Sequence, residues 1–268
     1  MRALFSEHGQ ARLRELMRPG VLCAFDFDGT LAPITSDPAG AFLTPEVLER
    51  LLRLTAVTPI AVLTGRSLAD IRGRLGFEPT YVVGNHGVEG MSEAAELERH
   101  AAISQTWRQQ LAVLLGGQPD IAKDILTEDK RYSLSLHYRA AADQAKAAAI
   151  LRDLIGQLAP APRLVTGKCV FNLLPPDSYD KGRALVELMK RSGAASAVYV
   201  GDDVTDEDVF RLRRHDVLSV RVEYMSNSAA DFYIPDHADI ARLLDELIER
   251  LSSRKGNAAS PAAGPESG

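Results

Sequence analysis

Two aspartates, Asp26 and Asp28, stand two residues apart in the stretch AFDFDGTLAPI, where an apolar run ends and Gly29 and Thr30 follow. Carboxylates this close together either take up protons or bind a cation. Oxygen ligands without histidine or cysteine favour a hard cation, and Mg²⁺ is the one we expect. A bound magnesium ion would attract a phosphate, so the stretch indicates phosphoryl chemistry.

Four further polar segments could serve the same chemistry. They are TGR (64–66), GNHGVE (84–89), DKGRAL (180–185) and GDDVTDED (201–208). Asp202 would add a third carboxylate to the cluster, while Thr64, Lys181 and the backbone N–H groups around Gly29 could hold phosphate oxygens. Taken singly, each segment has an ordinary structural explanation, such as an Asp-Gly turn, a helix cap or an acidic helix start. Their shared placement favours one common site.

The acidic pair also suggests a mechanism. A carboxylate nucleophile divides phosphate-monoester hydrolysis into two steps through an aspartyl-phosphate. Asp26 lies nearest the rigid strand, so we expect it to be the nucleophile. Asp28 would protonate the leaving alcohol and then activate water, with its backbone carbonyl available to the metal.

The elements that must hold these residues alternate between strand and helix. Continuous apolar runs predict buried strands at VLCAFDF, at 59–63, at TYVV, at AVYVGDD and at VLSVRV. Between them lie helical patterns, such as the one that Thr44 caps and Pro45 begins, and residues 2–18 predict a further short helix. The prediction is an α/β fold with a doubly wound parallel sheet, and ligands bind such sheets beyond the carboxyl ends of the strands.

The pattern changes between residues 108 and 177. There the order is helix, strand, strand, helix, strand, strand, with a hairpin turn predicted at Thr166-Gly167. This order predicts an inserted α+β cap domain (αββαββ). The expected domains are therefore a core part at 1–107, the cap at 108–177, a second core part at 178–252 and a disordered tail at 253–268.

Composition narrows the classes of protein. The formal net charge of −5 argues against a general nucleic-acid binder, and no pair of the six histidines has zinc-ligand spacing. Two cysteines in 268 residues make no disulfide framework, so we expect a reduced cytoplasmic protein. Neither a secretory signal nor a membrane span is predicted. Neither nucleic acid nor membrane is expected as a partner; the oligomeric state stays open, with a monomer favoured.

The order of DFDGT, TGR, DKG and GDDVTDED resembles the four motifs of haloacid-dehalogenase-like phosphatases. The longer stretches FDFDGTLAPI, LTGR, VVGNHGVEG and GDDVTDEDVF, together with the cap pattern, are similar to the trehalose-6-phosphate phosphatases in particular. The resemblance implies Asp26 as nucleophile and Asp28 as acid/base. It also implies Thr64 and Lys181 on the phosphoryl group. The implied Mg²⁺ ligands are Asp26, Asp28 and Asp202, with Asp203 and Asp206 as their supporting partners.

Substrate contacts also follow from the resemblance. Arg66, Asn85 and His86 lie in the core segments, and Glu128, Lys130 and Arg139 are similar to the sugar-binding residues of the cap. A later family pattern places a Glu four residues after a Gly-Lys pair. Lys168 matches its Lys, but Asn172 stands where the family has Glu. Without the resemblance, Glu128 and Lys130 would be read as a solvated surface pair and Arg139 as a charge guarding an edge strand.

The predicted activity is Mg²⁺-dependent hydrolysis of trehalose 6-phosphate to trehalose and phosphate. One alternative is a related capped phosphatase acting on another phosphosugar, such as mannosyl-3-phosphoglycerate or sucrose phosphate. Another is a non-catalytic sugar-phosphate sensor. The presence of Thr64, Lys181 and every motif carboxylate speaks against the sensor.

Overall fold

The computed structural model describes residues 1–35 and 38–258. In chain order, the strands are β1 (Arg2–Ala3), β2 (Leu22–Phe25), β3 (Ile60–Leu63), β4 (Tyr81–Val83), β5 (Leu126–Asp129), β6 (Leu134–His137), β7 (Arg163–Gly167), β8 (Val170–Leu174), β9 (Ala197–Gly201), β10 (Val217–Val222) and β11 (Phe232–Ile234). The α-helices are α1 (Glu7–Leu16), α2 (Pro45–Thr55), α3 (Leu68–Arg72), α4 (Ala94–Gly116), α5 (Pro119–Ala122), α6 (Gln144–Ile155), α7 (Lys181–Ser192), α8 (Glu207–Phe210) and α9 (Asp239–Ala258). Short 3₁₀ helices span Pro38–Gly40, Asn85–Gly87 and Val204–Asp206.

A parallel sheet forms the core. Within the described residues it has seven strands in the order β1-β11-β10-β9-β2-β3-β4. Strand β2 lies between β9 and β3, and Cys23 pairs with Val198 on one side and Ile60 on the other. All four residues of β2 are buried and apolar, as expected for a strand covered on both faces.

Helices cover both faces of this sheet and supply its hydrophobic core. On one face, Leu13 of α1, Leu51 of α2 and Leu247 of α9 pack on the strands. On the other face, Leu185 of α7 and Phe210 of α8 do so. The predicted α/β fold with a doubly wound parallel sheet is confirmed.

An antiparallel sheet builds the cap, with the strand order β5-β6-β8-β7 in the described chain. Leu136 and Phe171 lie on the sheet face that packs against Trp107 of α4 and Leu151 of α6. Because strand residues alternate between faces, Ser135, His137 and Asn172 lie on the opposite face. Helix α4 has 23 residues and runs without a break through the predicted boundary at 107–108.

Four local predictions need correction. The N-terminal segment 2–18 contains β1 before α1, because the backbone of Arg2 and Ala3 pairs with Phe232 and Tyr233. The hairpin between β7 and β8 turns at Lys168-Cys169 rather than Thr166-Gly167, since Gly167 still pairs with Val170. The short strand β11, which lies between β1 and β10, was not predicted.

The fourth correction concerns the predicted tail, 253–268. Helix α9 continues to Ala258, so the first residues of that tail are helical. Residues 259–268 lie outside the described residues. None of the helices in the described part of the chain is long and apolar enough to cross a membrane.

Candidate active site

A buried ion-pair network lies where β2 and β9 end. The Asp26 backbone N–H donates to Val200 O at 2.9 Å, which joins the first motif to β9. Lys181, the first residue of α7, places its Nζ 3.0 Å from Asp26 Oδ1 and 2.7 Å from Asp206 Oδ1. Tyr199 also donates its hydroxyl to Asp206 Oδ1, at 2.6 Å. The Lys181 side chain is 1% exposed, so its ammonium group faces the Asp26 and Asp206 carboxylates rather than solvent.

Burial controls the protonation equilibria here. It raises the pKa of Asp26 well above the usual range; Lys181 opposes this shift and Asp206 adds to it. Burial and the Asp206 carboxylate also raise the pKa of Asp202 to about 7. For Lys181, burial lowers the pKa, but the carboxylates of Asp206 and Asp26 outweigh it, so that the pKa rises. The acidic groups therefore require a compensating positive charge when they ionise together.

Three carboxylates are grouped closely enough to share a cation. Asp26, Asp202 and Asp206 each offer an oxygen within 4.8 Å of the others. Gly29 leaves room for this arrangement: a Cβ at that position would lie 2.1 Å from Asp202 Oδ2. Thr30 Oγ1 donates to Asp202 Oδ1 at 2.8 Å and orients it. The donor set is all oxygen, which suits a divalent cation such as Mg²⁺.

The structure gives Asp206 a larger part than the sequence indicated. Besides Lys181 and Tyr199, its carboxylate accepts the Asp203 backbone N–H at 2.8 Å, and Asp203 and Asp206 form a capping box. The two residues predicted as supporting partners are thus bonded to each other. Asp206 is at the same time within reach of the Asp26 and Asp202 oxygens.

Asp28 is directed away from this acidic group. Its carboxylate accepts two hydrogen bonds of 2.7 Å from Arg66, one from Nε and one from the other guanidinium arm. Arg66 also binds Asp70 at 2.7 Å, and its guanidinium lies over the ring of Phe27. Burial lowers the pKa of Arg66, but Asp28 outweighs that effect and raises it. The Asp28 side chain keeps 42% of its surface exposed, toward the cleft under the cap.

Thr64 bonds both His86 and Arg66, the partner of Asp28. Thr64 is buried, and its Oγ1 accepts the Arg66 backbone N–H at 3.2 Å. His86 donates its backbone N–H to Thr64 O and adopts a φ of 56°, so its ring rests on Gly65, where a Cβ would be 2.4 Å from His86 Cε1. Burial and then Lys130 lower the pKa of His86, which keeps the imidazole neutral. Its Nδ1 has no hydrogen-bond partner within the described residues.

Asn85 joins the core to the cap. It is fully buried, and its Oδ1 accepts a hydrogen bond of 2.8 Å from Ser133 in the cap. Its Nδ2 donates to Glu89 Oε2 at 2.6 Å and to Lys130 O at 3.4 Å. Asn85 was predicted to contact substrate, but its amide is occupied by these protein groups, and it is not among the residues that line the cleft.

A cleft of about 280 Å³ separates the cap from the core. Residues predicted for the sugar line its roof, with Glu128 Oε2 2.9 Å from His137 Nε2 and 3.9 Å from Lys130 Nζ. Lys130 also donates to Gly65 O at 3.1 Å, across the cleft. Asn172 completes the roof, and its Oδ1 accepts a hydrogen bond of 2.6 Å from Ser135.

Two predicted cap residues lie elsewhere. Arg139 is exposed after the end of β6, where its carbonyl accepts a hydrogen bond from Gln144, and it does not line the cleft. Lys168 sits at the β7–β8 turn and lines a second cavity, on the side of Asp202. The structure therefore gathers Glu128, Lys130 and Asn172 but separates Arg139 from them.

Sequence reasoning missed three residues of the site. Tyr199 lies inside an apolar strand, and only its hydroxyl marks it as a partner for Asp206. His137 carried no motif, although it bonds Glu128. Arg221 did give a signal, being a charged residue in the buried strand β10. It donates to Asp203 O and Asp202 O, and it lies 3.6 Å from Glu207.

The fold and the site first define a class: a haloacid-dehalogenase-like core, with an acidic site at the carboxyl ends of its parallel strands and a cap above it. The profile of the trehalose-phosphatase family matches residues 24–237. This chain therefore belongs to the trehalose-phosphatase family.

Similar proteins agree with this assignment. The trehalose-phosphate phosphatase of Mycobacterium tuberculosis is 34% identical over 247 residues, which cover 85% of this chain and 61% of that protein. The Mycobacterium avium protein of the same name is 33% identical, with 87% and 63% covered. This chain thus spans about three fifths of the length of these curated relatives.

Solved structures show the same fold. The trehalose-6-phosphate phosphatase of Aspergillus fumigatus superposes with a TM-score of 0.63 at 25% identity and covers 93% of this chain and 99% of that chain. The C-terminal domain of the Candida albicans trehalose-6-phosphate phosphatase reaches a TM-score of 0.73 at 19% identity, with 92% and 98% covered.

Proposed function

We propose that this protein is a Mg²⁺-dependent phosphatase that hydrolyses trehalose 6-phosphate to trehalose and phosphate. The observation that carries the proposal is the meeting of Asp26, Lys181 and Asp202 at the carboxyl ends of the strands, directly beside a cap cleft with polar walls. Membership of the trehalose-phosphatase family and the names of the relatives support the choice of substrate.

In the proposed first step, a carboxylate oxygen of Asp26 attacks phosphorus and the bond from phosphorus to the sugar oxygen breaks. Asp28 gives its proton to that oxygen, so trehalose leaves as a neutral alcohol. In the second step, a water molecule attacks the aspartyl-phosphate and passes a proton to Asp28. Phosphate leaves and both carboxylates return to their starting states.

Lys181 and Thr64 are suited to hold the phosphoryl group. The Lys181 ammonium already lies 3.0 Å from Asp26, so it is adjacent to where the transferred oxygens would lie. Thr64 is buried and directly follows β3, the strand beside β2, so we assign its hydroxyl to the same phosphoryl group. Both offer positive charge or a donor where negative charge increases in the transition state.

Arg66 must release Asp28 before Asp28 can act as an acid. Arg66 holds both Asp28 oxygens in a bidentate pair, so both oxygens are engaged while that pair is intact. Asp70 also binds Arg66, at 2.7 Å, and would keep the guanidinium in place when Asp28 is released. We therefore assign Arg66 a positioning part in proton transfer as well as contact with substrate.

The proposed Mg²⁺ ligands are the Asp26 and Asp202 carboxylates and the Asp28 backbone carbonyl, with Asp206 and Asp203 supporting them. When bound, the ion would neutralise charge on the phosphoryl oxygens and on the crowded carboxylates. The cradle at Gly29 and the shared oxygen positions support this assignment.

Sugar selection is assigned to the cap, with Glu128, Lys130 and Asn172 as the binding residues. Asn172 supplies hydrogen bonds without charge, and Ser135 already fixes its oxygen, which leaves the amide nitrogen to donate to a hydroxyl. The proposal includes a cytoplasmic protein without nucleic-acid or membrane partners, supported by the net charge of −5 and by free Cys23 and Cys169.

A phosphate-release assay tests the proposal. Wild-type protein is given trehalose 6-phosphate, sucrose 6-phosphate, mannosyl-3-phosphoglycerate and p-nitrophenyl phosphate, with Mg²⁺ or with EDTA. We expect the highest kcat/KM on trehalose 6-phosphate and no turnover in EDTA. Asp26→Asn should abolish turnover, whereas the matched variant Asp153→Asn, at an exposed position of α6, should not.

Each other outcome has a defined meaning. A higher kcat/KM on another phosphosugar would mean that this phosphosugar, and not trehalose 6-phosphate, is the substrate. Tight binding of a phosphosugar without turnover would indicate the sensor. Full activity in excess chelator, or in Asp26→Asn, would refute the metal or the covalent mechanism respectively.

A further inference from the structure

A second cavity, of about 510 Å³, opens on the other side of Ile34 from the cap cleft. We call it the Tyr224 cavity, and its walls include Ile34, Lys168, Asp202, Tyr224, Met225 and His237. Ile34 lines the cleft as well, so the two spaces adjoin across this one side chain. Because Asp202 belongs to the acidic group, the cavity reaches the reacting centre.

Three exposed apolar side chains stand at the rim of the cavity. Ile34 is 79% exposed, Tyr224 is 61% exposed and Met225 is 40% exposed. Single exposed apolar residues are common on protein surfaces, but several around one concavity mark a binding surface. This cluster stands directly beside the site of chemistry.

Tyr224 is held in place by its surroundings. Its ring packs edge-on against Tyr233, with 5.2 Å between the ring centroids. The preceding residue, Glu223, has a φ of 63°, and its N–H donates to Ile234 O at 2.9 Å. The turn after β10 is therefore anchored to β11, and the contact with Tyr233 limits the freedom that the ring would lose on binding.

Polar groups face the same space. His237 Nε2 is buried and has no hydrogen-bond partner in the part of the chain that the structure describes. Lys168 reaches the cavity from the cap turn. An aromatic face flanked by a vacant imidazole nitrogen and an ammonium group suits a hexose, whose C–H face is apolar and whose hydroxyl edge both donates and accepts hydrogen bonds.

The volumes favour two sugar positions. Small-molecule sites occupy roughly 300–1,000 Å³, and the cap cleft, at about 280 Å³, is below that range. We propose that a disaccharide phosphate occupies both spaces. Its phosphorylated ring lies in the cap cleft under Glu128 and Lys130, and its unphosphorylated ring extends past Ile34 and packs on Tyr224. This inference rests on the proposed function and identifies Tyr224 as a residue that selects disaccharide substrates.

The test compares Tyr224→Ala and Tyr224→Phe on trehalose 6-phosphate and on p-nitrophenyl phosphate, which has no second sugar ring. Phe42→Ala is the matched control, since Phe42 is also an exposed aromatic, at 52%. We expect Tyr224→Ala to lower kcat/KM for trehalose 6-phosphate about three- to tenfold, mainly through KM. Activity on p-nitrophenyl phosphate should not change, and Tyr224→Phe and Phe42→Ala should resemble wild type.

The test separates failure of the Tyr224 position from failure of the proposed function. If wild type hydrolyses trehalose 6-phosphate but Tyr224→Ala keeps its kcat/KM, the Tyr224 position is refuted and the proposed function stands. Equal losses on both substrates would also refute it, because they would indicate a disturbed core. If wild type releases no phosphate from trehalose 6-phosphate, the proposed function fails and this inference fails with it.

Discussion

Gly29→Ala is the perturbation that tests the acidic site most directly. Gly29 has a φ of 84°, and a Cβ there would lie 2.1 Å from Asp202 Oδ2. Atoms at that distance repel strongly, so the Asp202 oxygen must move by about 1 Å to reach normal contact. The movement would strain its hydrogen bond with Thr30 and separate Asp202 from the Asp26 and Asp206 oxygens.

The magnitude has two parts. Alanine in the left-handed backbone region costs roughly 1–2 kcal/mol of folding stability. Displacement of a site group by about 1 Å lowers the rate by about a hundredfold. We therefore expect a modest loss of stability and an approximately hundredfold loss of phosphatase activity. A higher Mg²⁺ concentration should be needed for the half-maximal rate.

Gly20→Ala is the matched control. Gly20 has nearly the same φ, 83°, but its Cβ would have no neighbour within 4 Å. Both variants should lose similar stability from the backbone, as measured by urea unfolding. Only Gly29→Ala should lose phosphate release across a Mg²⁺ titration. Equal activity in the two variants would refute the reasoning that the missing side chain of Gly29 leaves space for the Asp202 carboxylate.

Other parts of the structure give three further predictions. Lys130→Ala should lower kcat/KM for trehalose 6-phosphate by about ten- to a hundredfold, because a charged hydrogen bond contributes roughly 1.5–3 kcal/mol; an equal loss on p-nitrophenyl phosphate would instead mean a structural part. Ser133→Ala leaves the buried Asn85 Oδ1 without its donor, so urea unfolding should show a loss of about 1–3 kcal/mol, and unchanged stability would rule out this core–cap contact. Burial raises the pKa of the Cys23 thiol to about 12, so at pH 8 a thiol reagent should modify Cys169 alone in the folded protein and both cysteines in urea; rapid reaction of Cys23 in the folded state would contradict its burial.

The sheet could be predicted because its signals are local. The run VLCAFDF is apolar without alternation, which a strand buried on both faces requires, and β2 is such a strand. The caps at Thr44 and Asp180 set helix starts through side-chain bonds to nearby N–H groups. Strands β1 and β11 were missed because they are two and three residues long, and they pair with each other across almost the whole length of the chain.

The approximate location of the site could be predicted because each motif directly follows a strand. Since parallel strands end at one edge, the order of the segments already implied that Asp26, Thr64 and Asp202 converge. The sequence could not show that Asp28 pairs with Arg66 or that Asn85 bonds Ser133. Those contacts depend on which way side chains turn and on how the cap sits over the core.

The sequence by itself therefore determined the fold class, the acidic and basic residues at the sheet edge and the existence of the cap. Each of these depends on the periodicity of apolar residues or on the ends of strands, which are properties of short segments. Tertiary structure alone decided that the Asp206 carboxylate lies beside those of Asp26 and Asp202, that Arg139 stays outside the cleft and that Ile34 lies between two cavities. Distances between residues remote in the chain settle those points, because packing of the cap, the sheet and the loops fixes them together.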